Sequence, residues 1–250
     1  MNYRNLSSTP TRGTTVSRGN SLPPSGLDGR DSRQRTSYRS ERPSTPPNRN
    51  LRLKSPSIPK ERTRDELIDS IVHTRTREHR VMPGFRSSTD YDERKSMRVD
   101  CDKVFNGIII GNGETILNID YLLGIGVTHV LNTAEQHVVV NPGKYSCHGI
   151  QYYGFHVDDL PQSNISRYFH RTTDFIHKAV SGGGVIVVNC FMGWSRSATC
   201  VAAYLMMKHN MTSTRALETI RQSRPIRPNA GFLQQLADLE NTLAKRISWY

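Results

Sequence analysis

The stretch Gly184–Thr199 reads Gly-Val-Ile-Val-Val-Asn-Cys-Phe-Met-Gly-Trp-Ser-Arg-Ser-Ala-Thr, and few folds can house it. Val185–Val188 is a run of β-branched residues, which predicts a strand buried on both faces. Beyond a short loop, Ala198–Met207 is apolar with helical spacing. A strand that feeds a loop opening a helix leaves the first backbone N–H groups of that helix without intrahelical partners. Such a loop forms a nest for a tetrahedral anion, and Cys190 stands at its first position.

The surrounding chain repeats the pattern. Gly107–Ile110, Val127–Leu131 and Gln151–Val157 are strand candidates. Between and after them, helices are predicted over Thr115–Leu123, Asn164–Val180, a segment capped by Thr212 or Ser213 and running through Ile220, and a last segment capped by Asn229. Asp65–Arg80 carries Leu67, Ile68, Ile71 and Val72 at helical spacing and predicts a short amphipathic helix. Met82–Lys95 reads as a returning loop. Alternation of this kind predicts an α/β fold: a central, mostly parallel twisted sheet flanked by helices on both faces, with ligands at the strand ends.

Charge divides the chain. The net charge is +12, and residues 1–60 supply most of it, with twelve basic residues against Asp28, Asp31 and Glu41. Rich in Ser, Thr, Pro, Gly and Arg, this part cannot bury enough apolar surface to offset ordering entropy. The expected organisation is a disordered basic tail over 1–64, a helix and connecting loop over 65–98, and a catalytic domain over 99–248. A basic tail can bind nucleic acid or an anionic membrane nonspecifically. The basic residues are spread singly, so the blander reading is a solvated tail with proline-directed phosphorylation sites at Thr9, Thr45 and Ser55. Cys101, Cys147, Cys190 and Cys200 lack zinc-like spacing, and no apolar run or secretory segment points to a membrane span. A reducing location, cytoplasmic or nuclear, is expected.

A lone cysteine at a strand end is more often a core thiol than a nucleophile. Arg196, six residues on, changes the balance: its guanidinium can fold back over the loop and hold two oxygens of one phosphate. Ser197 can hydrogen-bond the sulfur, and Gly193 lets the backbone turn. The expected phosphate cradle is Phe191, Met192, Gly193, Trp194, Ser195 and Arg196.

Asn189-Cys190-x5-Arg196-Ser197 resembles the loop of the cysteine-based protein tyrosine phosphatases, within them the dual-specificity phosphatases. Gly126-Val127-Thr128-His129-Val130-Leu131-Asn132, Ala203-Tyr204-Leu205-Met206 and Arg224-Pro225-x-x-Pro228-Asn229-x-Gly231-Phe232-x-x-Gln235-Leu236 extend the resemblance over roughly Val99–Arg246. The helix at Asp65–Arg80 is similar to the extra N-terminal helix of the atypical, VHR-like subgroup. The resemblance implies hydrolysis of phosphotyrosine, with phosphoserine and phosphothreonine, through a phosphocysteine, without metal or organic cofactor. It implies a general acid at Asp159, six residues before Ile165, with Asp158 the runner-up, and a second substrate phosphate at Arg224, for which a surface ion pair is the alternative. Phosphoprotein substrates follow. MAP kinases are added by the docking-like Arg49-Asn50-Leu51-Arg52-Leu53.

Three departures bear on this. Asn189 replaces the family's histidine and brings no charge, so a less acidic thiol and a lower rate are expected. Phe191 and Met192 are apolar, which argues against inositol lipids and polyphosphates. Trp194 is bulky at the pocket mouth, suited to stacking on phosphotyrosine or to ordinary packing. The rival reading is a weakly active or inactive pseudophosphatase that binds phosphoproteins.

Overall fold

The computed structural model describes residues 61–78, 82–85 and 95–247. The tail of residues 1–60, its phosphorylation dipeptides and the docking-like peptide lie outside them.

Five strands form one sheet: β1 (Cys101–Phe105), β2 (Ile108–Gly111), β3 (Val127–Asn132), β4 (Gln151–Gly154) and β5 (Val185–Asn189), in the order β1-β2-β5-β3-β4. Only the β1–β2 pair is antiparallel. β5 therefore runs down the middle, and helices cover both faces. Alternation along the strands divides the apolar residues between two cores. Ile108, Ile110, Leu131, Ile186 and Val188 face one core, while Ile109, Val130 and Val187 face the other. That is why β5 reads as an unbroken apolar run.

On the larger core pack α1 (Arg64–His73), α5 (Phe169–Ser181), α6 (Arg196–His209), α7 (Ser213–Ser223) and α8 (Ala230–Ile247). On the smaller lie α2 (Gly113–Leu117), α3 (Ile119–Gly124) and α4 (Pro142–Ser146). Helix α6 is buried from Arg196 to Met206, so its sequence is apolar nearly all round.

The element boundaries differ from the sequence reading in instructive ways. Helix α1 stops at His73, not Arg80; beyond it Thr74–Glu78 offers no apolar residue to hold a turn against the core. Only Leu67 and Ile71 of its apolar set are buried. Residues 61–64 join the domain instead of the tail. Thr63 caps α1 in a reciprocal box with Glu66, and the Arg62 backbone exchanges hydrogen bonds with the Asn241 side chain (2.9 and 3.1 Å). The single helix expected over Thr115–Leu123 is two, broken at Asn118, whose side chain caps the second. Strand β4 ends at Gly154, and a 3-10 turn at Ser166–Tyr168 precedes α5. Strand β1 and helix α4 were not anticipated. Among the described residues, no helix is long and apolar enough to cross a membrane.

Candidate active site

The loop between β5 and α6 sits at the carboxyl end of the central strand, with its carbonyls tied down from behind. Phe191 O accepts from Gly113 N (3.0 Å), Trp194 O from Arg227 N (2.8 Å) and Ser195 O from Thr199 N (2.9 Å). Met192 O and Gly193 O accept from the Arg224 guanidinium (3.0 and 2.8 Å). A trans peptide directs its N–H opposite to its C=O, so the loop amides are turned inward. Gly193 has φ +71°, and a Cβ there would stand 2.5 Å from Gly111 O, so glycine is required.

Cys190 lies at the floor, 1% exposed. Its sulfur accepts from Gly193 N (3.1 Å) and the Ser197 hydroxyl (3.4 Å). Burial by itself would push the thiol up. Hydrogen bonds from the Ser197 hydroxyl and backbone, the Arg196 charge and the Ser195 backbone outweigh it and hold the thiol below its ordinary value. Burial is not the deciding variable: Cys101 and Cys200 are also buried, and the single side-chain hydrogen bond of each, to Tyr121 and Thr172, does not offset it, so both are pushed up to about 12.

Arg196 is 5% exposed and donates to Val157 O (3.2 Å), while its Nε is buried with no hydrogen-bond acceptor. Asp159 faces it from the loop after β4, 3.6 Å from that Nε. The other Asp159 oxygen accepts from Ser195 Oγ (2.6 Å) and Asn229 Nδ2 (2.8 Å). Asp158 turns outward to Gln136 and His156. A cavity of about 410 Å³ opens between His137, Asp158, Asp159, Leu160, Phe191 and Arg196. Phe191, Met192 and Trp194 stand exposed on the loop. Another cavity, about 470 Å³, lies at the opposite ends of the strands around Pro83, Lys103 and Val180, away from the thiol.

The structure thus brings Cys190, Arg196, Ser197 and Asp159 together around one loop. It does not bring Arg224 to the pocket. That residue is fully buried behind the loop and paired with Asp100 (2.8 Å) and Asp102 (2.9 Å), so neither the second-phosphate contact nor the surface ion pair holds. The exposed arginine of that segment is Arg227. Asn189 is buried on the sheet. Its Nδ2 donates to Asn132 Oδ1 (3.1 Å) on the neighbouring strand, and its carbonyl accepts from Thr133 N and Oγ1 (2.9 and 2.8 Å). The groups that dominate the thiol's acidity are Ser197, Arg196 and the Ser195 backbone.

Sequence reasoning missed the supporting residues Asp100, Asp102, Asn132 and Thr133. It also read Asn229 only as a helix cap. No local signal was available for Asp102, because the strand that makes its carboxylate a buried charge in need of a partner was itself not legible.

The sheet order, the loop at its central strand and the helices on both faces define the protein tyrosine phosphatase-like fold. The model of the dual specificity phosphatase catalytic domain matches residues 108–242, and the chain belongs to that family, the dual-specificity protein phosphatases. It is 41% identical over 147 residues to human dual specificity protein phosphatase 26, covering 58% of this chain and 70% of that protein. Among solved structures, DUSP15 is 30% identical with a TM-score of 0.51, covering 60% of this chain and 95% of that one. Human DUSP28 is 27% identical with a TM-score of 0.52, covering 57% and 94%. The relationship fits the atypical dual-specificity phosphatases.

Proposed function

We propose that this protein phosphatase acts on phosphotyrosine, and also on phosphoserine and phosphothreonine, through a phosphocysteine. The Cys190 thiolate attacks phosphorus, and the bond to the leaving oxygen breaks as Asp159 donates its proton there. Loop amides and Arg196 hold the equatorial oxygens as charge redistributes. Water then attacks phosphorus, Asp159 takes its proton, and the sulfur leaves while the Ser197 hydroxyl hydrogen-bonds it. The observation carrying this reading is the buried Arg196 Nε, which has no acceptor of its own, beside a Cys190 sulfur whose surroundings favour the thiolate.

Phosphoproteins are the substrates. The docking-like segment at 49–53 makes a phosphorylated MAP kinase the partner to test first, and thiolate chemistry suits the reducing cytoplasm or nucleus. Rapid quenching with a phosphotyrosyl peptide should yield a phosphoprotein absent from Cys190→Ser, and that variant should lose all turnover. Peptide binding without hydrolysis by the wild type from about pH 5 to 8 would establish the phosphoprotein-binding pseudophosphatase instead.

A further inference from the structure

A guanidinium taken fully out of water must have its five N–H groups bonded and its charge balanced. Arg224 meets both demands with nothing to spare. Nε donates to Gly193 O (2.8 Å) and NH2 to Met192 O (3.0 Å) and Asp100 Oδ2 (2.8 Å). NH1 donates to Asp102 Oδ2 (2.9 Å) and Asp100 Oδ1 (3.3 Å). Two acceptors are therefore carbonyls of the phosphate loop, and the rest are carboxylates at the start of β1. The edge strand hydrogen-bonds to β2, pairing Cys101 with Gly111, and so fixes those carboxylates relative to the sheet.

The consequence follows from peptide geometry. Met192 C=O and Gly193 N–H belong to one planar unit and point in opposite directions. Holding Met192 O from behind aims Gly193 N–H forward, where it meets the Cys190 sulfur at 3.1 Å. Holding Gly193 O does the same for Trp194 N–H. We propose that Arg224, clamped by Asp100 and Asp102, is a positioning residue that orients the loop amides toward thiolate and phosphate. This rests on the phosphocysteine reading of the same loop.

The test compares wild type with Arg224→Lys, which keeps charge but loses the planar fork, and Asp102→Asn, which keeps shape but loses charge. Three quantities are measured: inhibition of p-nitrophenyl phosphate hydrolysis by tungstate, the pH profile of Cys190 alkylation by iodoacetamide, and melting temperature. Arg224→Lys should weaken tungstate about 100-fold and move the alkylation profile up by about one pH unit. Asp102→Asn should act in the same direction by about tenfold. Leu67→Ala, buried in the core where α1 packs on α7 and α8, should lower melting at least as much and leave tungstate and alkylation unchanged. If Arg224→Lys fails to fold, Asp102→Asn decides. Tungstate affinity and alkylation within about twofold of wild type in the folded variants overturns the proposal. So does a loss confined to doubly phosphorylated peptides, which would make Arg224 a substrate contact. A wild type that forms no phosphoprotein overturns the catalytic reading instead, and the alkylation profiles still decide whether Arg224 orients the loop.

Discussion

Two loops meet over the pocket, and they are held in different ways. From Phe191 to Ser195 every carbonyl of the phosphate loop has a donor behind it, drawn from α2, α6, Arg224 and the segment before α8. The acid loop has few such ties. Asp158, Leu160, Pro161 and Gln162 are exposed, and Asp159 keeps 33% of its side-chain surface in solvent. Its anchors are side chains: Arg196 at Val157 O and at Asp159, Gln136 at Asp158, Ser195 and Asn229 at Asp159, and Gln235 at Ser163 O (2.8 Å), with a close approach of Pro161 to Gly231. The difference matches the tasks. Anion binding needs many dipoles fixed in advance, whereas a proton donor needs one carboxyl brought to one place.

The largest effect should come from disturbing the overdetermined loop at its tightest point. Gly193→Ala places a methyl against Gly111 backbone and forces a left-handed conformation that costs about 1–2 kcal/mol in itself. Because the amides cannot keep their directions, kcat/KM for p-nitrophenyl phosphate should fall about 1000-fold. A fall below about tenfold would mean the loop tolerates movement and the contrast is weaker than drawn.

Asp159→Asn should cost about 100-fold on a phosphoserine peptide and much less on an aryl phosphate with an acidic leaving group. Tungstate affinity should stay near wild type. Equal losses on both substrates would show that Asp159 organises the pocket instead of donating a proton.

Gly231→Ala probes the seat of the acid loop without touching the acid. In the first turn of α8, a Cβ at this position would fall within bonding range of the Pro161 carbonyl, so the loop must move away. A fall of about 10- to 100-fold in turnover of phosphoserine peptides is expected, with the alkylation profile of Cys190 unchanged. A shifted profile would mean that the two loops are mechanically one.

How far these features could be read from sequence depends on distance along the chain. Val185–Val188, Cys190, Arg196 and Ser197 lie within one strand-loop-helix unit, so local periodicity and spacing revealed them. Asp159 needed the family resemblance, because nothing local joins it to Arg196. Arg224 was misplaced since its acidic partners stand 122 and 124 residues upstream, Asp102 on the unanticipated strand β1 and Asp100 immediately before it. That strand has five residues, two of them Asp102 and Lys103, and too little apolar alternation to stand out. Gly231 shows its meaning only once Pro161 is seen against it.

The smallest effect is expected at Asn189, the departure from which a less acidic thiol was expected. Its Nδ2 donates to Asn132 on the sheet, its Oδ1 is buried without a hydrogen-bond partner, and Ser197, Arg196 and the loop amides dominate the thiol's acidity. Ser197→Ala removes a donor that favours the thiolate, so the thiol rises and the acidic limb of the kcat/KM profile moves to higher pH, by about one unit. Asn189→His works in the opposite direction. An imidazolium there would favour the thiolate and lower the limb, but the site is fully buried and desolvation keeps the ring neutral. The limb should therefore fall by less than about half a unit, with turnover changing less than about threefold. A drop of a full unit would show that the phosphate loop, tied down at every carbonyl, still takes its acidity from the strand beneath it.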